Sequence, residues 1–362
     1  MKPYILEGGE GVRNISSKNK EAVMLKKVVD ILAINYVLIG FSALFFLQGS
    51  GCFAADWLHF GYDDSYTSRN PVENTIGINN VSQLQKQWGL GCDNGSFAVI
   101  SRSPALYNGT LYTTSAGSVL QAYNARTGQQ LWTFGSRSGS GWTPQPVVSE
   151  DGVVFYLQPV SSTLYDLYAV NASTGKELWK SPISFDLGFN DEALSTVDEA
   201  NNRVYLVAPA FGPEEGVLYA LNKETGEIAW YKNKTVGNFS AQGDYVLLKE
   251  GYIFGLADVD RFDYQMYRFD VTTQKVDFFF DVPTPLPDAD DDEILQYGLC
   301  GNQLIVGIGV NDDHITDIDK GSVVIYNVDS PSVVRRIDFP YPITGQIACN
   351  TSINTFYVPT DP

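Results

Sequence analysis

The sequence predicts an all-β protein, a β-propeller built of four-stranded blades. Three observations carry this prediction. A frame of eleven residues recurs, its copies stand 44 to 51 residues apart, and no helical periodicity occurs between them. A period of about 40–50 residues indicates a solenoid, a propeller or an array. The short runs rich in Val, Tyr, Leu and Phe, split by Asn-Gly and Asp-Gly turns, favour the propeller. About six blades are visible, as a ring of their own or as part of a seven- or eight-bladed ring.

The recurring frame is Ala-x-Asn-x-x-Thr-Gly-x-x-x-Trp. Three full copies occur, at Ala122–Trp132, Ala169–Trp179 and Ala220–Trp230. Two eroded copies follow, one at Arg268–Phe278 and one that begins at Ile325. Trp88 stands upstream, 44 residues before Trp132, where the end of a sixth copy is expected.

Each position of the frame has a physical role. The Thr-Gly pair predicts a tight turn between the third and fourth strands, because glycine adopts positive φ without strain. The Asn caps this turn, and the small Ala leaves room for a neighbouring blade. The tryptophans are predicted to be structural and buried between blades. The structural positions are Trp88, Trp132, Trp179 and Trp230 with Gly128, Gly175 and Gly226.

The same patterns place the strands of each blade. Five blades are predicted near 98–134, 143–181, 192–232, 243–280 and 293–338. Residues 343–349 and 354–358 predict two inner strands of a sixth blade. Leu84–Trp88 is expected to supply the outer strand of that last blade.

The frame resembles the repeat of the pyrroloquinoline-quinone (PQQ) propellers of the quinoprotein alcohol dehydrogenase-like family, which favours Asp where Asn124, Asn171 and Asn222 stand. The opening segment, with Asp56-Trp57-Leu-His-Phe-Gly61-Tyr-Asp63 and then Ser68-Arg69-Asn-Pro71, resembles the start of polyvinyl-alcohol dehydrogenase-type proteins. The resemblance implies PQQ and calcium in a central funnel, with a carboxylate base. No residue matches the family's calcium ligands or base, and no adjacent Cys-Cys pair occurs. PQQ and calcium are therefore implied by the resemblance alone.

Two acidic segments are weak candidates for a calcium site. Both are predicted between second and third strands, and so on one face of the propeller. Alternating carboxylates suit Ca²⁺, which binds several oxygen ligands, but neither segment is a complete binding loop, and ordinary solvated loops explain them better. The candidate ligands are Asp258, Asp260 and Asp263 in one segment and Asp317 and Asp319 in the other.

The chain divides into three parts. Residues 56–362 form the predicted PQQ-repeat propeller. Residues 24–55 have the charged, apolar and small-residue regions of a signal peptide, with cleavage expected after Ala54 or Ala55. The alternative is a membrane anchor, in which residues 25–48 contact the bilayer. Residues 1–23 are read as a disordered extension or a misassigned start.

Charge and histidine content exclude several function classes. The formal net charge is −18, from 24 basic and 42 acidic residues. A chain this acidic does not favour nucleic acid or anionic membranes, which require basic patches. Only two histidines occur, so a histidine metal site is not expected.

The cysteines raise the question of a disulfide. Cys300 and Cys349 occupy the same place in successive repeats, each at the end of an innermost strand. An exported compartment permits a bond between them, and Cys92 is expected to stay free. The alternative is three separate buried thiols.

Two function classes remain. One is an exported binding or scaffold propeller, in the periplasm, at the cell surface or outside the cell, that holds another protein or a small ligand at one face. The other is a PQQ-dependent alcohol dehydrogenase-like oxidoreductase, or a fragment of one. The compact blades favour the first class, and the opening segment favours the second.

Overall fold

A computed structural model describes the β-rich part of the chain. The described residues are 4–7, 12–13, 56–58, 61–63, 67–72, 75–77, 79–89, 104–115, 119–136, 145–187, 195–208, 216–233, 240–260, 263–281, 292–310, 321–341, 343, 347–353 and 355–360. Two 3₁₀ turns occur among them, Val81–Gln83 and Thr351–Ile353. None of the helices in these ranges has the length and apolar character needed to cross a bilayer.

The described strands form six antiparallel sheets, five of them from strands consecutive along the chain. Strands β1 (Tyr4–Glu7) and β2 (Val12–Arg13) precede the repeats. The first sheet contains β3 (Ala105–Tyr107), β4 (Thr110–Ser115), β5 (Val119–Asn124) and β6 (Gln130–Phe134). The second contains β7 (Val147–Val148), β8 (Val153–Pro159), β9 (Leu164–Asn171) and β10 (Glu177–Lys180), with β11 (Phe185–Asp186) also paired to β9.

The next three sheets repeat this order. The third contains β12 (Ser195–Asp198), β13 (Arg203–Ala208), β14 (Val217–Asn222) and β15 (Ile228–Lys232). The fourth contains β16 (Ser240–Lys249), β17 (Tyr252–Asp260), β18 (Asp263–Asp270) and β19 (Lys275–Asp281). The fifth contains β20 (Asp292–Cys300), β21 (Gln303–Val310), β22 (Gly321–Asn327) and β23 (Ser330–Phe339). The predicted all-β architecture of four-stranded units is confirmed, and the number of blades in the ring stays a prediction.

The sixth sheet departs from the prediction. The hairpin of β24 (Ala348–Asn350) and β25 (Thr355–Val358) pairs with β1, and β1 pairs with β2. The third and fourth strands thus come from residues 4–7 and 12–13, inside the 1–23 segment expected to be a disordered extension or misassigned start. The expectation that Leu84–Trp88 supplies the outer strand was wrong, since residues 84–89 form no strand. The reason is that this segment is held at the first sheet, where Trp88 Nε1 donates to Ala125 O at 2.9 Å.

The core lies between successive sheets. In β13, Val204 and Leu206 pack toward the second sheet, whereas Tyr205 and Val207 pack toward the fourth. Neighbouring residues of a strand point to opposite faces, so both faces of an inner sheet must be apolar. This is why the second and third strands of the repeats have almost continuous apolar runs.

The Thr-Gly turns form as the frame predicts. In the first copy, the amide nitrogens of Arg126 and Thr127 donate to Asn124 Oδ1, at 3.0 and 2.9 Å. Asn171, Asn222 and Asp270 cap their turns in the same way. The turn glycines have φ of +71, +67 and +72°, at Gly128, Gly175 and Gly226 respectively. In the eroded fourth copy, Gln274 takes the same conformation, at φ +55°.

Two frame tryptophans, Trp132 and Trp179, contact the turn of the following copy. The Trp132 indole Nε1 donates to Ala172 O at 3.0 Å, and its ring covers Gly175 so closely that an added Cβ would lie 2.6 Å from Cδ2. Trp179 makes the same two contacts, with Lys223 O at 2.8 Å and with Gly226. These glycines are therefore required twice, for their φ and for the close approach of the ring.

The remaining tryptophans vary this contact. Trp88 belongs to no strand, yet its Nε1 donates to Ala125 O at 2.9 Å and its ring covers Gly128. Trp230 lies between the rings of Tyr205 and Phe269, at 5.8 and 5.5 Å. Trp179 is buried, whereas Trp88, Trp132 and Trp230 are half-buried.

Candidate functional site

Described residues of the opening segment, at 56–58 and 67, bond to the inner edges of three sheets. Trp57 and Leu106 exchange two backbone hydrogen bonds of 2.7 Å, and the Val148 amide donates to Leu58 O at 2.8 Å. The Cys349 amide donates to Thr67 O at 2.8 Å. The innermost strands of the first, second and sixth sheets thus bond to this segment, near the ends where they turn into their second strands.

Side chains hold the opening segment in shape. Asp56 Oδ1 accepts from the amide of Asn108 at 2.7 Å. Asp63 accepts from the amide and the hydroxyl of Thr67, at 3.0 and 2.7 Å. The rings of Trp57 and Tyr62 meet edge to face at 5.1 Å. Burial, with smaller contributions from Asp63 and Asp56, raises the pKa of Tyr62, so this phenol stays protonated at neutral pH.

The inner strands of the fourth and fifth sheets are joined by a tyrosine pair. Tyr245 and Tyr297 stack with ring centroids 4.4 Å apart and planes 19° apart. The Tyr245 hydroxyl donates to Tyr297 O at 3.0 Å, and the Tyr297 hydroxyl donates to Tyr245 O. Neither tyrosine belongs to the repeat frame, and no sequence pattern pairs these residues, which are 52 positions apart.

The inner strands of the fifth and sixth sheets are joined by a disulfide. Cys300 and Cys349 are bonded, with Cα atoms 5.7 Å apart, and both are buried. Their equivalent places at the ends of neighbouring inner strands bring them together. The alternative of three separate thiols therefore does not describe this pair, and Cys92 lies outside the described residues.

The three calcium candidates that the structure describes, Asp258, Asp260 and Asp263, lie at the other end of the fourth sheet. Strands β17 and β18 continue to Asp260 and from Asp263, and their register sets these two residues opposite each other. Asp258 is opposite Tyr264. The segment is thus largely strand, not the loop that was expected. Asp317 and Asp319 lie outside the described residues, between β21 and β22, and so the calcium site stays a prediction.

The described side chains give no donor set for a resident metal. Within the described ranges, no group of three or more His, Cys, Asp and Glu residues is placed to hold a metal ion. No described residue can be assigned to PQQ either. We therefore derive no chemical step through calcium or the quinone.

Two ion networks connect neighbouring sheets on the face of the Thr-Gly turns. Lys223, with its side chain only 8% exposed, contacts Asp151 Oδ2 at 3.1 Å and also Glu199. Burial by itself would lower the pKa of Lys223, but hydrogen bonds and charge from Glu199 and Asp151 outweigh it and raise the pKa. Lys223 therefore stays charged and bridges the second sheet to the third.

Arg268 forms the second network and replaces a tryptophan contact. Its guanidinium lies between the rings of Tyr252 and Phe278, at 4.2 and 4.6 Å. Its Nη1 donates to Val328 O at 2.9 Å, and Nη2 donates to Asp277 at 2.8 Å. Val328 follows the capping Asn of its turn, as Ala172 and Lys223 do in theirs. Since Phe278 stands at the tryptophan position and has no N–H, the arginine supplies the donor.

The comparisons with known proteins agree with this geometry. Residues 115–258 match the PQQ-repeat family model described as outer membrane protein assembly factor BamB. A europium-containing methanol dehydrogenase has a similar structure, with a TM-score of 0.53 and 12% identity, over 82% of this chain and 80% of that chain. These similarities support a PQQ-repeat β-propeller that is related to the quinoprotein alcohol dehydrogenases and to the assembly-factor family.

Curated relatives of this PQQ-repeat propeller cover about half of the chain. The 1-butanol dehydrogenase (cytochrome c) of Thauera butanivorans is 29% identical over 171 residues, which are 45% of this chain and 23% of that protein. The quinoprotein alcohol dehydrogenase PedH of Pseudomonas putida is 28% identical over 169 residues, 45% of this chain and 28% of that protein. The match thus spans about a quarter of the length of these relatives.

Proposed function

We propose that this PQQ-repeat propeller is an exported binding or scaffold module that holds a partner protein or a small ligand. The observation that carries the proposal is the opening segment at the inner edges of the sheets. Backbone bonds of Leu106, Val148 and Cys349 with Trp57, Leu58 and Thr67 occupy the edges of three first strands with the chain's own backbone. With these edges already paired, the outer surfaces and faces of the propeller are the surfaces that we propose for binding.

The described turns and connections support the same reading. In four of the sheets the third and fourth strands are joined by a single capped Asn or Asp turn, at Asn124, Asn171, Asn222 and Asp270. The family model that matches residues 115–258 is described as an assembly factor. Both observations suit a protein that presents surfaces to partners.

Three features support export. The sequence of residues 24–55 has the organisation of a signal peptide. The disulfide between Cys300 and Cys349 is typical of oxidising compartments. The matching family model is described as an outer membrane assembly factor. N-terminal sequencing of the exported protein is expected to begin near Asp56, and recovery of residues 31–55 in membranes would instead identify an anchor.

A cofactor titration tests the absence of catalysis. The purified protein is titrated with PQQ and Ca²⁺ while the quinone absorbance is followed, and alcohol-dependent reduction of an artificial electron acceptor is then measured. We expect neither a saturable spectral change nor turnover. Reproducible calcium-dependent turnover would overturn the proposal. In that case Asp260→Asn, with Asp186→Asn as a control on a distant strand, would test the acidic hairpin end.

The second candidate is a quinoprotein oxidoreductase or a fragment of one. The curated relatives named as alcohol dehydrogenases favour it, as does the opening segment. The same titration separates the two functions, since a dehydrogenase requires the quinone to bind with a defined stoichiometry.

A further inference from the structure

The hairpin turn between β3 and β4 is an Asn-Gly pair at the surface. Tyr107 and Thr110 lie opposite each other in the register. Asn108 and Gly109 form the turn between them, with φ of +46 and +72°. Two positive φ values are typical of a type I′ turn, which favours this dipeptide. Asn108 is exposed, so solvent reaches its side-chain amide.

The side chain of Asn108 and the amide nitrogen of Gly109 form no hydrogen bond with another described residue. The asparagines of the repeat frame differ at both places. Asn124 Oδ1 accepts from two turn amides. The amide nitrogen of Ala125, which follows Asn124, donates to Gly109 O at 2.9 Å. The other two full copies of the frame hold their asparagines in the same way.

An unengaged Asn-Gly pair undergoes deamidation, a reaction that consumes only water. The Gly109 nitrogen gives its proton to solvent and attacks Cγ of Asn108, and glycine has no Cβ to hinder this attack. The new N–Cγ bond closes a five-membered succinimide ring, while the bond from Cγ to the side-chain nitrogen breaks and ammonia leaves. Water then cleaves the ring. Cleavage of the N–Cγ bond gives aspartate, and cleavage at the main-chain carbonyl carbon gives isoaspartate.

This turn also holds the opening segment. The amide nitrogen of Asn108 donates to Asp56 Oδ1 at 2.7 Å, next to the two backbone bonds between Trp57 and Leu106. Either product of deamidation places a second carboxylate in the turn beside Asp56, and neighbouring like charges repel each other. Isoaspartate also lengthens the main chain by one carbon atom, which disrupts the hairpin register. Both changes weaken the contact with the opening segment.

We propose that Asn108 is a site of spontaneous deamidation, and that deamidation loosens the opening segment from the first sheet. The bonds of Leu58 and Thr67 to the second and sixth sheets do not involve this turn, so the loosening is local. The inference goes beyond the proposed function, because it needs neither a partner nor PQQ.

Peptide mapping of the purified full chain tests the site. The tryptic peptide of residues 103–126 contains both Asn108 and Asn124, so fragment spectra compare the two in one molecule. After incubation at mildly alkaline pH, Asn108 is expected to convert at least about tenfold faster than Asn124, whose cap hydrogen bonds must break first. The control is Asn108→Gly, which keeps the positive φ and has no reactive amide. Equal conversion of the two asparagines, or none at Asn108, would overturn the inference.

The same peptide reports on a competing modification. Asn108-Gly109-Thr110 is also a sequon, the sequence that accepts N-glycans in exported proteins. A glycan blocks the nitrogen that must leave as ammonia. A sugar mass on Asn108 of the exported protein would therefore rule out deamidation at this site.

Hydrogen exchange tests the effect on the opening segment. The deamidated chain is separated from the parent by ion exchange, through its added negative charge. The amides of Trp57 and Leu106 are expected to exchange about two- to tenfold faster in it, the effect of one lost hydrogen bond. The amide of Val148, which donates to Leu58 O, is the internal control and should not change. Unchanged exchange at Trp57 and Leu106 would contradict the loosening.

Two variants separate charge from backbone change. Asn108→Asp carries the added charge without isoaspartate and should also exchange faster at Trp57 and Leu106. Asn108→Gly should exchange like the parent. Equal exchange in the two variants would refute the role of the charge, and the measurements on the parent and its deamidated form decide the site if either variant fails to fold.

Discussion

Truncation of Trp179 tests the contact that joins successive copies of the frame. Trp179 is 8% exposed, its Nε1 donates to Lys223 O at 2.8 Å, and its ring packs against Phe155 with centroids 5.9 Å apart. Removing a buried tryptophan costs about 3–5 kcal/mol, through lost burial and the cavity left behind. At about 2–4 °C per kcal/mol for a large domain, Trp179→Ala should lower the melting temperature by roughly 10 °C.

The neighbouring Leu178 provides a matched control. It lies on the same strand and is 51% exposed, so Leu178→Ala should change the stability by less than about 0.5 kcal/mol. Both variants are compared by urea unfolding followed by circular dichroism. Equal midpoints for Trp179→Ala and the parent would refute the docking role.

A double-mutant cycle with Gly226 isolates the contact itself. In the parent, Gly226→Ala adds left-handed strain of about 1–2 kcal/mol and an overpacking cost of about 1–3 kcal/mol, because the new Cβ would lie 2.8 Å from Trp179 Cδ2. In the Trp179→Ala background only the strain remains. The two effects should therefore be non-additive by about 1–3 kcal/mol, and additivity within about 0.5 kcal/mol would refute the reasoning.

Three other predictions follow from the sheet junctions. Cys300→Ser should destabilise the fold by about 4 kcal/mol, since the disulfide spans 49 residues. Dithiothreitol should lower the urea midpoint of the parent but leave that of Cys300→Ser unchanged. A parent midpoint that dithiothreitol does not change would contradict this prediction. Arg268→Lys should lower the free energy of unfolding by about 1–3 kcal/mol, because lysine keeps the charge but loses the guanidinium fork that reaches Asp277 and the Val328 carbonyl. The control, Lys275→Arg on the exposed outer strand, should be neutral. Equal urea midpoints for the two variants would contradict a role for the fork. Hydrogen bonds from the turn amides, the largest from Thr273, lower the pKa of Asp270 in the folded protein. The ionised carboxylate therefore stabilises the fold fully above the unfolded pKa, and this stabilisation is lost as the pH falls through the folded pKa. Asp270→Asn keeps the acceptor and should therefore reduce the loss of stability between pH 5 and pH 2, about the range over which such a carboxylate titrates; an unchanged acid profile in thermal melts would contradict it.

The fold class could be predicted because the repeat is local. Asn124 and Gly128 lie four residues apart in one turn, and their hydrogen bonds and φ form within that turn. Residue type, turn chemistry and strand alternation act over a few residues, so three copies in register were enough to predict four-stranded antiparallel units. The equivalent places of Cys300 and Cys349 in successive repeats suggested a disulfide in the same way, but they did not decide between a disulfide and separate thiols.

The candidate site was less predictable because its contacts lie between copies. The sequence marks Trp88 as part of the frame. It does not show that Trp88 contacts the next turn from a segment that belongs to no strand. Nor does any pattern show that Arg268 takes over a tryptophan's donor role, since its partner Val328 is 60 residues away.

The sequence by itself determined the β-propeller class, the period of the repeats and the chemistry of their turns. Tertiary structure alone decided that Tyr245 pairs with Tyr297, that Trp57, Leu58 and Thr67 bond to the inner edges, and that Tyr4–Glu7 pairs with β25 in the sixth sheet. The physical reason is the range of the interactions. A turn is specified by residues that are neighbours along the chain, whereas an open strand edge accepts any extended segment that the fold brings within hydrogen-bonding distance.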